Sequence, residues 1–118
     1  MKVTCIKLIS PVTLVEVESG PWASVGSEYL VLEINSYPER TAWFRILADG
    51  GLPELLPATM FETIAQQLPS NWAVSVTDGF LKMGPAPWLR VGFWEEFFDG
   101  RVEAVSEYRS QLDLMLKG

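Results

Sequence analysis

The side chains that most often carry out chemistry in proteins are scarce in this sequence. Its 118 residues include no histidine and one cysteine, Cys5. The absence of imidazole removes the commonest general base and every Ser-His or Cys-His nucleophile pair, and a zinc site would need carboxylates alone. The turn at Asp49-Gly50-Gly51 lacks the following Lys-Ser/Thr and helix of a phosphate-binding loop. We therefore predict a protein that is not an enzyme and has no metal or cofactor.

Carboxylates are the remaining groups that could do chemistry. Glu95 and Glu96 are adjacent in a segment with helical character, so they would point about 100° apart and could not share one substrate. Glu95 and Asp99, at positions i and i+4, would share a face and could chelate a hard cation. An ordinary solvated acidic face is the favoured interpretation of this pair.

Aromatic residues are concentrated in the same region. Five of them lie within eleven residues: Trp88, Phe93, Trp94, Phe97 and Phe98. A two-turn helix cannot easily bury two aromatic faces against one sheet, so one pair could stay partly exposed as anchors for a partner, with Trp94 at the centre. Alternatively, the preceding prolines fold the segment onto the rest of the domain and all five rings are core. The candidate partner-binding residues of this segment are Trp88, Arg90, Trp94, Glu95, Glu96, Asp99 and Glu103.

The charge balance limits the class of partner. Nine basic and fifteen acidic residues give a formal charge of −6. Binding to phosphate requires Lys and Arg gathered into a patch, and this chain has few of either. We therefore expect no nucleic acid or anionic membrane as a partner and favour a basic protein.

The composition also bears on domain number and compartment. Hydrophobic residues make up 48% of the chain, which predicts one compact domain over residues 1–118 that could leave an apolar patch for a homodimer partner. No apolar run approaches a membrane span, and the N-terminal run is broken by Thr4 and Lys7, unlike a secretion signal. A single cysteine suits a reducing compartment, so we expect a cytoplasmic protein with Cys5 buried and inert in a strand.

Hydrophobic periodicity and turn residues predict strands over most of the chain. The segment at 59–67 stays open between a helix, with Thr59 and Glu62 in capping-box spacing, and a strand entered through a 3₁₀ turn. The clearest local signal is a hairpin at 72–83 around the two-residue turn Asp78-Gly79. The predicted strands are 3–9, a short piece within 12–17, 29–34, 42–47, 55–56, 72–77 and 80–83.

The last third of the chain changes in character. A short aromatic helix is predicted around 92–98, ended by Gly100. An amphipathic helix follows, with Val102, Val105, Tyr108, Leu112, Met115 and Leu116 on its apolar face. The predicted class is α+β: a small β-barrel or strongly bent antiparallel sheet over 1–84, and an aromatic-acidic helical part over 85–118.

Residues 26–62 resemble the SH3-like barrels of small bacterial and phage proteins. A glycine-led strand carrying Tyr29 precedes a strand that ends in the Asp49-Gly50 turn, and a corner at Leu56-Pro57 and Phe61-Glu62 follows. The resemblance implies a fold rather than one function, because such barrels serve ligand binding, RNA binding and assembly alike. In peptide-binding barrels of this kind, aromatic rings line a groove for proline-rich segments. The rings that the resemblance implies for such a groove here are Trp22, Tyr29, Tyr37 and Trp43, and of these Tyr37 is expected to be exposed. The overall layout is also loosely similar to bacterial toxin-immunity proteins.

Three hypotheses of function follow from these observations. The first is a non-catalytic cytoplasmic protein-binding domain, an immunity-type inhibitor whose acidic surface covers a basic toxin or enzyme. The second is an SH3-like adaptor or assembly module of a phage or secretion system. The third is a metal-dependent enzyme that works with carboxylates alone.

Overall fold

The protein is described here by a computed structural model over residues 1–117. Nine strands precede two helices. The strands are β1 Lys2–Cys5, β2 Leu8–Ile9, β3 Glu16–Val17, β4 Glu28–Ser36, β5 Trp43–Leu47, β6 Pro53–Pro57, β7 Phe61–Ala65, β8 Trp72–Thr77 and β9 Phe80–Pro85. The helices are α1 Phe93–Phe98 and α2 Val102–Lys117, and two 3₁₀ turns lie at Ala58–Met60 and Ala86–Trp88.

Strand β4 is the centre of an antiparallel sheet. Its beginning pairs with β1, its end pairs with β9, and its other edge pairs with β5. The sheet continues from β1 to β7, from β5 to β6 and from β9 to β8, while β2 and β3 form a separate two-stranded sheet. Strands β6 and β7 do not pair with each other within residues 1–117, so the sheet does not close into a barrel. The α+β class, an antiparallel sheet with a C-terminal helix, is confirmed.

Several strand predictions are confirmed and one is wrong. The 72–83 hairpin forms, with Asp78 and Gly79 at φ 51° and 78°, as a two-residue turn with two positive φ angles requires. The single strand predicted over 3–9 is instead two strands. The chain bends between them because the N–H groups of Ile6 and Lys7 both donate to the carbonyl oxygen of Met60, at 2.8 and 3.4 Å.

The open segment at 59–67 forms strand β7, entered through the 3₁₀ turn. Its residues pair with β1, for example Thr63 with Val3 and Phe61 with Cys5. No side-chain cap forms at the 3₁₀ turn, so the capping-box interpretation is wrong. Pairing with the most N-terminal strand satisfies the backbone here, and spacing within the segment could not reveal that partner.

Hydrophobic clusters lie on both faces of the sheet. The first contains Val3, Cys5, Leu8, Ala23, Tyr29, Val31, Phe44, Ile46, Ala48, Leu56, Met60 and Phe61. The second, under the helices, contains Leu32, Trp88, Phe93, Trp94, Ala104, Tyr108 and Met115. The second cluster fixes the helices on the sheet, because both helices contribute buried side chains to it.

The ends of the helices follow from local hydrogen bonding. Helix α1 is terminated by Gly100, which follows the C-cap Asp99 and has φ 78°, and the N–H groups of Gly100 and Arg101 donate to the carbonyls of Phe97 and Glu96. This is a Schellman motif, so the predicted glycine stop is confirmed. No helix among the described residues is both long and apolar enough to cross a membrane.

The apolar face predicted for α2 is only partly correct. Tyr108 and Met115 are buried as expected, but Val102 and Leu116 are 79% and 62% exposed. Ala104 is buried in place of Val102. Helix α2 contacts α1 and the 3₁₀ turn at 86–88, and the face that it buries carries Ala104, Tyr108 and Met115.

Candidate functional site

Most of the aromatic segment is core. Trp88, Phe93 and Trp94 are buried, Phe97 is half-buried, and only Phe98 is largely exposed, at 52%. The Trp88 ring stacks on Tyr108 with centroids 5.2 Å apart and meets Trp94 edge-on at 5.5 Å. The expectation that Trp88 and Trp94 serve as exposed anchors is therefore wrong. The 3₁₀ turn after β9 carries the chain over Leu32 of β4, and the two indoles fill the space between sheet and helix.

A β-bulge in β4 directs an acidic side chain into this core. The register between β4 and β5 shifts between Val31 and Glu33, so that Leu32 and Glu33 both lie on the helix side of the sheet. Glu33 is 1% exposed. Simple alternation along 29–34 would place Leu32 and Glu33 on opposite faces, which is why the sequence did not predict this position.

The buried Glu33 carboxylate is held by three neighbours. Its Oε2 accepts from Trp94 Nε1 at 3.0 Å, and its Oε1 accepts from Asn35 Nδ2 at 2.9 Å. Arg45 Nε lies 3.9 Å from Oε1, and the guanidinium sits 4.1 Å from the centre of the Trp94 ring. Burial lowers the pKa of Arg45, and the Glu33 charge acts in the opposite direction. We interpret this buried charge cluster as a structural element, because solvent and substrate do not reach the carboxylate.

The exposed acids form a separate group on the helical side. Arg90 makes an ion pair with Glu96 and lies 3.9 Å, Nε to Oε2, from Glu107. The hydrogen bond from Arg90 to Glu96 raises the pKa of Arg90. The other predicted acids, Glu95, Asp99 and Glu103, are exposed. Across residues 1–117 no three Asp, Glu or Cys side chains come together in a group that could hold a metal ion.

The aromatic set expected for a peptide groove is dispersed. Tyr37 is half-buried and stacks on Phe80 at 4.6 Å, and burial raises the pKa of its phenol. The expectation that Tyr37 stands exposed in its loop is therefore wrong. Tyr29 is buried, and its hydroxyl donates to Asp49 Oδ1 and accepts from the Ser24 N–H, both at 2.7 Å. Trp22 packs against the first hydrophobic cluster.

One member of that set, Trp43, lines a groove. The groove, of about 470 Å³, lies between the β2–β3 hairpin, the β4–β5 loop and the end of β6. Its lining residues are Ile9, Leu14, Arg40, Thr41, Trp43, Pro57 and Thr59. We call it the Trp43 groove. Leu14 and Arg40 come from loops, where no periodic signal marks a residue as part of a site.

The β2–β3 hairpin holds Leu14 at the groove in a strained conformation. Leu14 has φ 60° although it is not glycine. The Leu14 N–H donates to the Ser10 carbonyl at 2.8 Å, and Ser10 Oγ accepts from the N–H groups of Val12 and Thr13, each at 3.3 Å. The Leu14 side chain is nevertheless 61% exposed. The turn, rather than burial of the side chain, therefore imposes this conformation.

This strain can be measured by comparing two substitutions at Leu14. Leu14→Gly and Leu14→Ala both remove the side chain, but only glycine adopts positive φ without steric cost. We expect the glycine variant to be about 1 kcal/mol more stable to unfolding than the alanine variant. Equal stabilities in urea denaturation would show that the backbone at Leu14 is unstrained.

Comparisons with known proteins found no matching family model, no matching curated protein and no matching solved structure. The Trp43 groove and the exposed acids around Phe98 are two surfaces on which a function can be proposed.

Proposed function

We propose that this protein is a non-catalytic protein-binding module with an SH3-like strand arrangement, and that it binds through the Trp43 groove. The strand order supports the SH3-like frame. Strand β1 pairs with both β4 and β7, a long hairpin separates β1 from β4, and a 3₁₀ turn separates β6 from β7. The segment that carries the sequence resemblance, 26–62, spans β4, β5, β6 and this turn.

The composition of the Trp43 groove supports an extended, proline-containing segment as its ligand. Trp43 and Pro57 present rigid apolar surfaces, and Ile9 and Leu14 add aliphatic ones. A polyproline II segment is already ordered before it binds, so it loses little entropy on such a surface. Its carbonyl groups are free of internal hydrogen bonds, and the Arg40 guanidinium at the groove could donate to them.

The net charge of the chain supports a basic protein as the partner that carries this proline-containing segment. The net charge of −6 would accelerate encounter with a basic partner without contributing to recognition in the groove. The chain contains one cysteine, Cys5, so it forms no internal disulfide, which supports a protein of the reducing cytoplasm.

A second candidate function has one observation in its favour. The exposed Phe98 ring lies on α1 with Glu95, and Asp99 follows it directly, so an aromatic side chain is flanked by free carboxylates. Such a surface could cover a basic cleft, as an immunity-type inhibitor would. We rank it second because Trp88 and Trp94, the intended centre of that surface, are core residues.

One pair of variants distinguishes the two functions. A library of proline-containing peptides is screened against the whole chain by NMR chemical-shift changes, and the tightest peptide is then titrated. We expect Trp43→Ala to weaken its binding at least 30-fold, roughly 2 kcal/mol, and Phe98→Ala to have no effect. If no peptide shifts the signals of groove residues, or if Trp43→Ala binds normally, the groove proposal fails. Loss of a native basic partner with Phe98→Ala alone would favour the second function.

A further inference from the structure

Three strands of the large sheet have a free edge within residues 1–117, and they differ in how that edge is protected. Strand β6 carries Pro53, Glu54 and Pro57, and β7 carries Glu62. Prolines and charges at an edge are the usual means of preventing another strand from pairing there. Strand β8, Trp-Ala-Val-Ser-Val-Thr, has neither a proline nor a charge. It is the edge that is open to a further strand.

The hairpin register identifies the backbone groups on this open edge. The Asp78-Gly79 turn is closed by the pair Thr77 and Phe80, and Ser75 pairs with Lys82 in the same ladder. Hydrogen-bonded and non-hydrogen-bonded pairs alternate along an antiparallel ladder, so the N–H and C=O groups of Val74 and Val76 point away from β9. No backbone or side-chain group among the described residues bonds to them.

The side chains of β8 continue an apolar row that begins in the core. Directly paired residues across β6, β5, β4, β9 and β8 are Leu56, Phe44, Ile34, Met83 and Val74. Leu56, at one end of the row, is 0% exposed, and Val74, at the other end, is 60% exposed. Val76, two positions further along β8 and on the same face as Val74, is 65% exposed. A strand added beside β8 would cover both valines and satisfy their backbone groups.

A second copy of β8 matches this edge. In an antiparallel pair centred on Ser75, Val74 of each copy lies opposite Val76 of the other, and both exchange backbone hydrogen bonds. Ser75 lies opposite its own counterpart on the two-fold axis, where a neutral, small side chain is required. No charge within β8 faces a like charge, which is the usual obstacle to self-pairing.

We propose that two copies of this chain associate through β8, forming one continuous antiparallel sheet across a two-fold axis at Ser75. This assembly is independent of the Trp43 groove, and it would place two grooves on one particle. Linked grooves would bind a partner with repeated segments more tightly than one groove does.

A cysteine placed on the axis tests the pairing directly. Opposed residues of a non-hydrogen-bonded antiparallel pair have Cα atoms about 4.5 Å apart, within the range of a disulfide. We expect Ser75→Cys to form a covalent dimer of twice the 13.2 kDa chain mass on mild oxidation. Cys5 needs no substitution because it is buried. Thr77→Cys is the matched control: it lies on the same face, but its two copies would be roughly 13 Å apart and should stay monomeric under the same conditions.

The native chain provides the second measurement. Light scattering at high micromolar concentration should give twice the chain mass, and Val74→Pro should return it to that of one chain. The proline removes an outward N–H and leaves the β8–β9 ladder intact. A monomeric native chain, equal cross-linking of Thr77→Cys, or a dimer that survives Val74→Pro would each overturn the proposal. Trp43→Ala should leave the dimer unchanged. A result that contradicts the groove proposal can therefore be told apart from one that contradicts the dimer proposal.

Discussion

Replacing Glu33 with alanine should lower the free energy of unfolding by about 3–5 kcal/mol, the usual cost of removing one member of a buried ion pair. The variant would leave the Arg45 guanidinium without its countercharge in a setting where burial already lowers its pKa. It would also leave the Trp94 N–H and an Asn35 N–H without their acceptor, since Glu33 accepts from both. A domain of this size is stable by about 5–15 kcal/mol in total, so urea denaturation should show a large shift in midpoint.

Two further variants show whether the loss of stability in Glu33→Ala comes from leaving a buried charge uncompensated. Glu33→Leu combined with Arg45→Met removes both charges together and should cost less than Glu33→Ala, because no uncompensated charge stays inside. Glu95→Ala is the control for an exposed carboxylate and should change stability by less than about 0.5 kcal/mol. If Glu33→Ala behaves like Glu95→Ala, the buried charge cluster does not stabilise the fold.

Trp88→Ala should destabilise the protein by a similar amount, about 3–5 kcal/mol. The indole is fully buried at the centre of the second hydrophobic cluster. Its ring contacts Phe93, Trp94 and Tyr108, with centroid separations of 6.3, 5.5 and 5.2 Å. The cavity left by alanine would lie between the sheet and α2, so hydrogen exchange should accelerate in α2 before it does in β4 and β5.

Phe98→Ala is the matched control for this prediction. It belongs to the same aromatic segment but is 52% exposed, so its truncation should cost less than about 1 kcal/mol. Equal losses for Trp88→Ala and Phe98→Ala would contradict the assignment of core and surface within the segment. The same measurement also shows whether Phe98→Ala, which is used in the binding test, leaves the fold intact.

The elements that were predicted correctly from the sequence have strong local signals. The β8–β9 hairpin depends on Asp78-Gly79, whose positive φ angles are set by the turn itself. Helix α1 stops at Gly100 because the motif that ends it requires a left-handed residue. Strand β4 has a run of β-branched and aromatic residues that no alternative structure suits as well.

The candidate site was much less predictable. Of the proposed partner-binding residues, Trp88 and Trp94 are core and Tyr37 is stacked on Phe80, while Arg90 is tied to Glu96. The groove instead joins Leu14, Arg40 and Pro57 to Trp43, from three separate parts of the chain. Their meeting depends on how β2–β3, β4–β5 and β6 are arranged around one another, which a single sequence without pairing information does not specify.

What the sequence by itself determined is the α+β class, the main turns, and the lack of histidine that removes the commonest catalytic arrangements. These properties depend on residue type and on neighbours a few positions away, so they can be inferred without a partner strand. Only the tertiary structure decided that 61–65 is a strand, that Glu33 is buried against Trp94, and which aromatic rings are covered. Each of these depends on a contact between residues distant in sequence, and in β4 a single bulged residue is enough to turn Glu33 towards the helices.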